Sequence, residues 1–205
     1  MAFRATFARV GLAAGLITLS LGMPVAAQTG AAGLRSSVPD ISNIRIDNFG
    51  RINANYYRGA QPQGRDYADL AALGVKTIID LTSDDSDAAE KTLAERAGLN
   101  YVQIAMTTHQ PPTSAQLANF LQIVNDPARQ PVFVHCVGGR HRTGVMTAAY
   151  RMSHDHWNSN QAFSEMKQYK FGLDMLHAEF KDFVYAYQPA VVATAAAAVA
   201  AASVR

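Results

Sequence analysis

His135-Cys136-Val137-Gly138-Gly139-Arg140-His141-Arg142-Thr143-Gly144 is the stretch on which the fold turns. The apolar run Pro131-Val132-Phe133-Val134 precedes it, and the helix-compatible run Val145-Met146-Thr147-Ala148-Ala149-Tyr150 follows. A strand, a short glycine-containing loop and a helix start, in that order, form an anion cradle. The N–H groups of the loop and of the first helical turn converge on one point. Cys136 is the only cysteine of the chain and stands at the head of the loop, six residues before Arg142.

Each residue type in the stretch suits one chemistry. A cysteine attacks phosphorus as a thiolate, and the helix N-terminus, the loop N–H groups, Arg140 and Arg142 all favour that anion. Arg142 carries a planar fork of donors that grips two oxygens of a phosphoryl group, a geometry that lysine does not offer. The grip tightens as charge spreads over those oxygens in the transition state. Gly138 and Gly139 let the backbone turn its amides inward. The Thr143 hydroxyl is expected to donate to sulfur as the leaving group of a phosphocysteine, and His135 to orient the loop through hydrogen bonds. Val137, Gly138, Gly139, Arg140, His141 and Arg142 are the expected phosphate-binding positions. A buried free cysteine is commonly only a small core residue. The longer pattern of apolar strand, His-Cys, paired glycines, Arg-x-Arg-Thr-Gly and apolar helix is far more demanding than that.

This loop resembles the signature of the cysteine-dependent tyrosine and dual-specificity phosphatases. The nearer resemblance is to the atypical dual-specificity group of plants and fungi and its bacterial relatives, whose loops read much like His-Cys-x-x-Gly-Lys-His-Arg-Thr-Gly. Arg140 stands here in place of the lysine and keeps the charge. Tyr57-Arg58-Gly59-Ala60-Gln61-Pro62 is similar to the Tyr-Arg-Ser-x-Gln-Pro segment of that group, and Leu70-x-x-Leu73-Gly74-Val75-Lys76-Thr77-Ile78-Ile79-Asp80-Leu81 matches in type. The resemblance covers roughly residues 55–185. It implies a three-layer α/β phosphatase-type fold and hydrolysis of phosphate monoesters with neither a metal nor an organic cofactor. The substrates it implies are phosphorylated proteins, inositol phosphates or phosphoinositides.

Local patterning agrees with that architecture. Asn55–Arg58 reads as a short edge strand, 66–73 as a helix closed by Gly74, 75–81 as a buried strand, 87–97 as a helix stopped by Gly98, and 100–104 as a strand. Thr113 and Gln116 form a capping box ahead of the stripe Leu117, Phe120, Leu121, Val124. Pro131–His135 is the central strand, and helices are expected over 143–154, 159–169 and 173–187. This order predicts a mostly parallel central sheet with helices on both faces and a site at the carboxyl ends of the strands. Trp157, Phe163, Met166 and Tyr169 fall at helical spacing and are assigned to the core. His154-Asp155-His156 looks metal-like but is assigned to a polar helix corner, and Arg58 to a structural ion pair.

The proton donor is the least legible part. In most of the superfamily it is an aspartate on the loop before the Thr113 helix. The matching loop here, Ala105–Pro112, has no carboxylate and offers only His109. Asp84 and Asp85, on another strand-end loop, are the other candidates and are ranked slightly ahead of His109, although this turn also has the look of a solvated cap for the next helix.

The ends of the chain suggest export. Arg4 and Arg9, an apolar run from Val10 to Met23 and the small residues Val25-Ala26-Ala27 make the three-part layout of a signal peptide over residues 1–27. The run is shorter than the about twenty residues of a membrane span. Residues 28–39 read as a flexible leader, 40–188 as the phosphatase domain, and 189–205 as an Ala/Val-rich tail. The full chain has 18 Lys and Arg against 16 Asp and Glu, and residues 1–27 hold two of the arginines and no acid. With these removed the charge balances, so no basic excess remains to draw nucleic acid. Two alternatives to the phosphatase are a rhodanese-like sulfurtransferase, which also uses a loop cysteine, and a phosphate-binding module with weak turnover.

Overall fold

Backbone groups in the middle of a sheet are satisfied only by neighbouring strands, so the short apolar runs of this chain collect into one sheet. The computed structural model describes residues 40–83 and 85–189. The expected signal peptide, the leader at 28–39, Asp84 and the tail from 190 onward lie outside the described residues.

Five strands run β1 (Gly50–Asn53), β2 (Tyr56–Ala60), β3 (Thr77–Asp80), β4 (Asn100–Gln103) and β5 (Val132–Cys136). The helices are α1 (Asp66–Ala72), α2 (Glu90–Arg96), α3 (Ser114–Val124), α4 (Arg142–His154), α5 (Ser159–Gln168) and α6 (Ala178–Ala186), with a 3-10 turn at Asp174–His177. The sheet order is β1-β2-β5-β3-β4. Only the β1–β2 pair is antiparallel, and β2, β5, β3 and β4 run parallel. The fold is thus α/β with a mostly parallel sheet, as the sequence predicts.

Alternation along the strands builds two cores. Tyr57, Ile78 and Phe133 face Tyr67 and Leu70 of α1 and Ala94 of α2. Tyr56, Ile79, Val132, Val134 and Cys136 face the other side, with Phe120 of α3, Met146 and Ala149 of α4, and Phe180 of α6. Helix α4 is buried at every position from Arg142 to Tyr150, as expected of a helix enclosed by other elements. Each fully buried large side chain here contributes about 1.5–3 kcal/mol.

Several expectations need correction. Asn55–Arg58 is not an edge strand. Its core became β2, which is flanked by β5 on one side and by β1 on the other. The strand β1 was not foreseen, because Gly50-Arg51-Ile52-Asn53 holds one apolar residue among weak strand formers. Gly50 is needed there, since a Cβ would lie 2.1 Å from the Tyr169 hydroxyl. Helix α2 starts at Glu90 rather than at 87, because the Asp87 carboxylate accepts from the Ala89 N–H (2.9 Å) and closes a turn ahead of it. The predicted 173–187 helix is interrupted at His177, whose φ of −141° and ψ of 48° leave the helical region. Asp174, paired with Lys167 (2.6 Å) and Lys181 (2.9 Å), holds the turn before it.

The Thr113–Gln116 capping box is present, and a second, unforeseen one joins Asn158 and Gln161. Phe163 and Met166 are core residues, whereas Trp157 and Tyr169 are only half-buried. Trp157 lies under the Arg151 guanidinium (4.3 Å), which pairs with Glu165 and Asp155 (both 2.7 Å). The His154 ring contacts Asp155 at 2.7 Å, so this corner is polar. Among the described residues no helix is long and apolar enough to cross a membrane.

Candidate active site

The pleat of β5 decides which way its last two side chains face. Cys136 shares the side of Val132 and Val134 and is 4% exposed, at the carboxyl end of the middle strand. His135 shares the opposite side with Phe133, on which its ring stacks at 5.8 Å. After Cys136 the chain turns through residues 137–141 and enters α4 at Arg142. The Gly144 N–H donates to Arg140 O (3.1 Å) and the Val145 N–H to His141 O (2.8 Å). The N–H groups before these are the donors that a helix start leaves unspent, at the end of the loop that Cys136 heads.

The loop is held from behind. The Arg58 Nη2 donates to the Gly139 carbonyl at 2.5 Å, and the Asn48 Nδ2 donates to the same oxygen at 2.8 Å and to Tyr169 O at 2.9 Å. A peptide unit points its C=O and N–H in opposite directions. Tying Gly139 O into the protein body therefore turns the next N–H, that of Arg140, the other way. Arg58 is fully buried and lies over the Tyr169 ring at 4.0 Å. It is not the structural ion pair expected from sequence, because its partners are a carbonyl and an aromatic face. Asn48 adopts a φ of +56°, a region that Asn tolerates better than most residues. Gly139 has a φ of +60°, and a Cβ there would lie 2.3 Å from Gly59 C and O. The loop rides directly on the backbone of β2.

The arginine of the loop is engaged. Arg142 Nη1 and Nη2 donate to the two Asp85 carboxylate oxygens at 2.8 and 2.6 Å, and Nη1 also donates to Met106 O at 3.1 Å. Burial opposes the charge of Arg142, but Asp85 and the Cys136 sulfur together raise its pKa above the ordinary value. Reciprocally, the Arg142 hydrogen bonds hold the Asp85 carboxyl below the usual carboxylate range. Asp85, Thr108, Cys136, Val137, Gly138, Arg140, His141, Arg142 and His177 line one cleft of about 440 Å³. Within it His141 contacts Phe171 O at 2.9 Å through Nε2 and stacks on His177 at 3.6 Å. Burial depresses the His141 pKa, which favours its neutral ring. The Thr143 hydroxyl is buried without a hydrogen-bond partner among the described residues.

Two expected residues sit elsewhere. His135 does not hydrogen-bond the loop. Its Nε2 lies 2.9 Å from Glu90 Oε1, off the line of a hydrogen bond, and its Nδ1 lies 4.0 Å from Asp80 Oδ1, all fully buried on the α1–α2 side. Glu90 also accepts from Gln61 (2.9 Å), and Asp80 from Tyr101 (2.7 Å) and from Thr82. His109 is exposed, 3.8 Å from Glu179 and stacked at 5.6 Å on His177. Sequence reasoning missed Asn48, Tyr169, Asp80 and Glu90. A charged residue inside the buried run Tyr56-Tyr57-Arg58-Gly59-Ala60 was the available signal for the first two, since it must find partners somewhere.

A mostly parallel sheet whose central strand delivers a cysteine into a loop closed by an arginine is the architecture of the cysteine-dependent phosphatases. Residues 42–182 match the family model described as a DSP-PTPase phosphatase fused to NAD+ kinase, and the chain belongs to this phosphatase family. The dual specificity protein phosphatase TpbA of Pseudomonas aeruginosa is 31% identical over 169 residues, covering 80% of this chain and 73% of TpbA. The inositol diphosphatase SIW14 of Saccharomyces cerevisiae is 27% identical over 133 residues, covering 62% of this chain and 47% of SIW14. The crystal structure of the SIW14 catalytic core with citrate matches with a TM-score of 0.63 at 23% identity, over 77% of this chain and 93% of that one. A TpbA structure in complex with phosphotyrosine gives 0.60 at 25%, over 69% and 85%. These matches favour phosphoester hydrolysis over sulfur transfer. The chain is a phosphatase of the tyrosine and dual-specificity type, and a rhodanese-like sulfurtransferase is the less supported reading.

The two loop glycines are expected to respond differently to alanine. Gly139→Ala forces a Cβ into the β2 backbone at a positive φ and costs several kcal/mol of stability. Gly138→Ala meets only the Arg140 side chain, at 3.4 Å, and leaves stability within about 1 kcal/mol. Urea denaturation of the two variants compares them. Equal losses contradict the tie of the loop to β2.

Proposed function

We propose that the chain hydrolyses phosphoesters of highly anionic small molecules, the inositol-phosphate class, through a phosphocysteine on Cys136. The observation that carries this reading is a single cleft in which the sulfur, Arg142, Arg140, two histidines and the tied-back loop all meet. Cys136 Sγ attacks phosphorus while the loop N–H groups and Arg142 hold the equatorial oxygens. The leaving oxygen takes a proton as the P–O bond breaks. Water then cleaves the thiophosphate, with the Thr143 hydroxyl donating to the departing sulfur. Arg140, His141 and His177 extend positive or donor character along the cleft, which suits a ligand bearing more than one phosphate. SIW14 carries the name inositol diphosphatase, which supports this class, while the TpbA complex makes phosphotyrosine peptides the comparison arm.

Of the three candidate donors, we assign the proton to Asp85. Its carboxylate is locked on Arg142 in the free protein. An arriving phosphoryl dianion competes for the same guanidinium and leaves Asp85 beside a like charge. That environment raises the proton affinity of a carboxyl group. Asp84 lies outside the described residues, and His109 points its Nδ1 toward Glu179 rather than standing among the cleft-lining groups.

Export from the cytoplasm belongs to the same proposal and rests on residues 1–27. Cell fractionation is expected to find the chain outside the cytoplasm and shortened by this segment. Full-length protein confined to the cytoplasm contradicts it.

Phosphate release across inositol phosphates and phosphotyrosine peptides tests the substrate class. Higher kcat/KM on the inositol phosphates supports it, and the reverse ranking overturns it. In the same assay Cys136→Ser abolishes turnover but retains ligand binding, because the cradle survives. Arg142→Lys loses about 3 kcal/mol of transition-state stabilisation, on the order of a hundredfold in kcat/KM. Residual turnover in the serine variant contradicts the nucleophile. For Asp85→Asn, the loss is large on alkyl phosphates and small on aryl phosphates with acidic leaving groups. A loss that is independent of the leaving group assigns the proton elsewhere.

A further inference from the structure

Three side chains, His177 in the cleft and two that contact it, take no part in the bond-making and bond-breaking described above. His109 comes from the loop after β4, His177 from the break before α6, and Glu179 from the first turn of α6. His109 Nδ1 lies 3.8 Å and His177 Nδ1 lies 3.5 Å from the same oxygen, Glu179 Oε1. The three atoms all fall within 4.8 Å of one another. Among the described residues neither His177 Nδ1 nor Glu179 Oε1, both buried atoms, has a hydrogen-bond partner. Two potential ligand atoms are thus held close together without a hydrogen bond.

We propose that His109, His177 and Glu179 bind a divalent ion of the zinc type. Two imidazole nitrogens and one carboxylate oxygen are a donor set that zinc accepts, with a fourth position left for water or for an oxygen of an anionic ligand. Bonds of about 2.0–2.1 Å at tetrahedral angles give ligand-to-ligand edges of about 3.3 Å. The observed 3.5 and 3.8 Å edges to Glu179 need to contract by only a few tenths of an ångström, and the edge between the two histidines, within 4.8 Å, by at most about 1.5 Å. The His177 ring stacks on the half-buried His141 at 3.6 Å, and its Nδ1 stays on the side of Glu179.

The bound ion ties the Thr107–Gln110 loop to the start of α6. Because His177 also lines the cleft with Cys136 and Arg142, it places positive charge at the entrance. The expected lack of a metal in the chemistry is untouched, since none of the three ligands holds the phosphoryl group. The site is a property of this chain whether or not the assigned substrate class is right.

The test is a competition titration of zinc against a chromophoric chelator, using the full chain with Cys136→Ser so that the thiol offers no rival ligand. One zinc per chain is expected. His109→Ala and Glu179→Gln should each weaken it on the order of a hundredfold, since losing even an orienting partner costs 10–100-fold. His154→Ala, at the polar corner far along the sequence, should leave the affinity unchanged. His109 is exposed, so its substitution does not endanger the fold. Cobalt in place of zinc provides a second reading: the visible absorption of a four-coordinate site is expected in the parent and lost in His109→Ala. Absence of saturable binding overturns the proposal. So does an affinity that both ligand substitutions leave unchanged.

Discussion

The site depends on one carbonyl. Gly139 O accepts from Arg58 and from Asn48, at 2.5 and 2.8 Å, and this pair of bonds decides which way the loop presents its amides. Without donors behind it, a five-residue turn has no reason to direct its N–H groups toward one point, and its carbonyls would compete for the same space. Arg58 meets the cost of burying a charge through the carbonyl and the face of Tyr169 rather than through a carboxylate. Burial lowers the Arg58 pKa, opposed by surrounding phenols and by Glu165 and Cys136. The loop is thus built from three separate parts of the chain: the turn before β1, the strand β2 and the stretch after α5.

The parallel sheet explains why those parts meet. Register places Gly59 beside His135 and Ala60 beside Cys136, so β2 delivers Arg58 and the tight Gly59 backbone directly under the loop. On the opposite face, Asp80 is registered with His135 and joins Glu90, Tyr101 and Thr82 in a buried polar set below the β5 terminus. One side of β5 therefore supplies the nucleophile and the other a buried polar cluster. Two carboxylates lie on the α1–α2 side, while Asp85 closes the cleft from the loop after β3 and engages Arg142.

What was legible in the sequence follows from how local the cause is. The β5–loop–α4 unit is contiguous, and its glycines, apolar runs and charges carry their meaning within about twenty residues. So do the Thr113 capping box and the Gly74 and Gly98 stops, whose positive φ values of 91° and 80° appear where expected. The strand β1 was hidden because its pairing with β2, not its composition, makes it a strand. Asn48 reaches Gly139 and Tyr169 across 91 and 121 residues of sequence, and no local pattern announces such contacts. The sequence places His135 next to the loop, whereas the pleat turns it to the face away from Cys136. The break at His177 was likewise invisible, since helix propensity runs through it and only the packing of its ring on His141 reveals the interruption.

The central claim is that phosphorus passes through the sulfur of Cys136. Acid quench of the enzyme during turnover, followed by proteolysis and mass spectrometry of the peptide containing Cys136, measures this directly. The account predicts one phosphoryl group on that cysteine, appearing within a single turnover and disappearing as substrate is exhausted. Rapid phosphate release with that peptide never phosphorylated, under conditions where a phosphocysteine standard survives the quench, contradicts it.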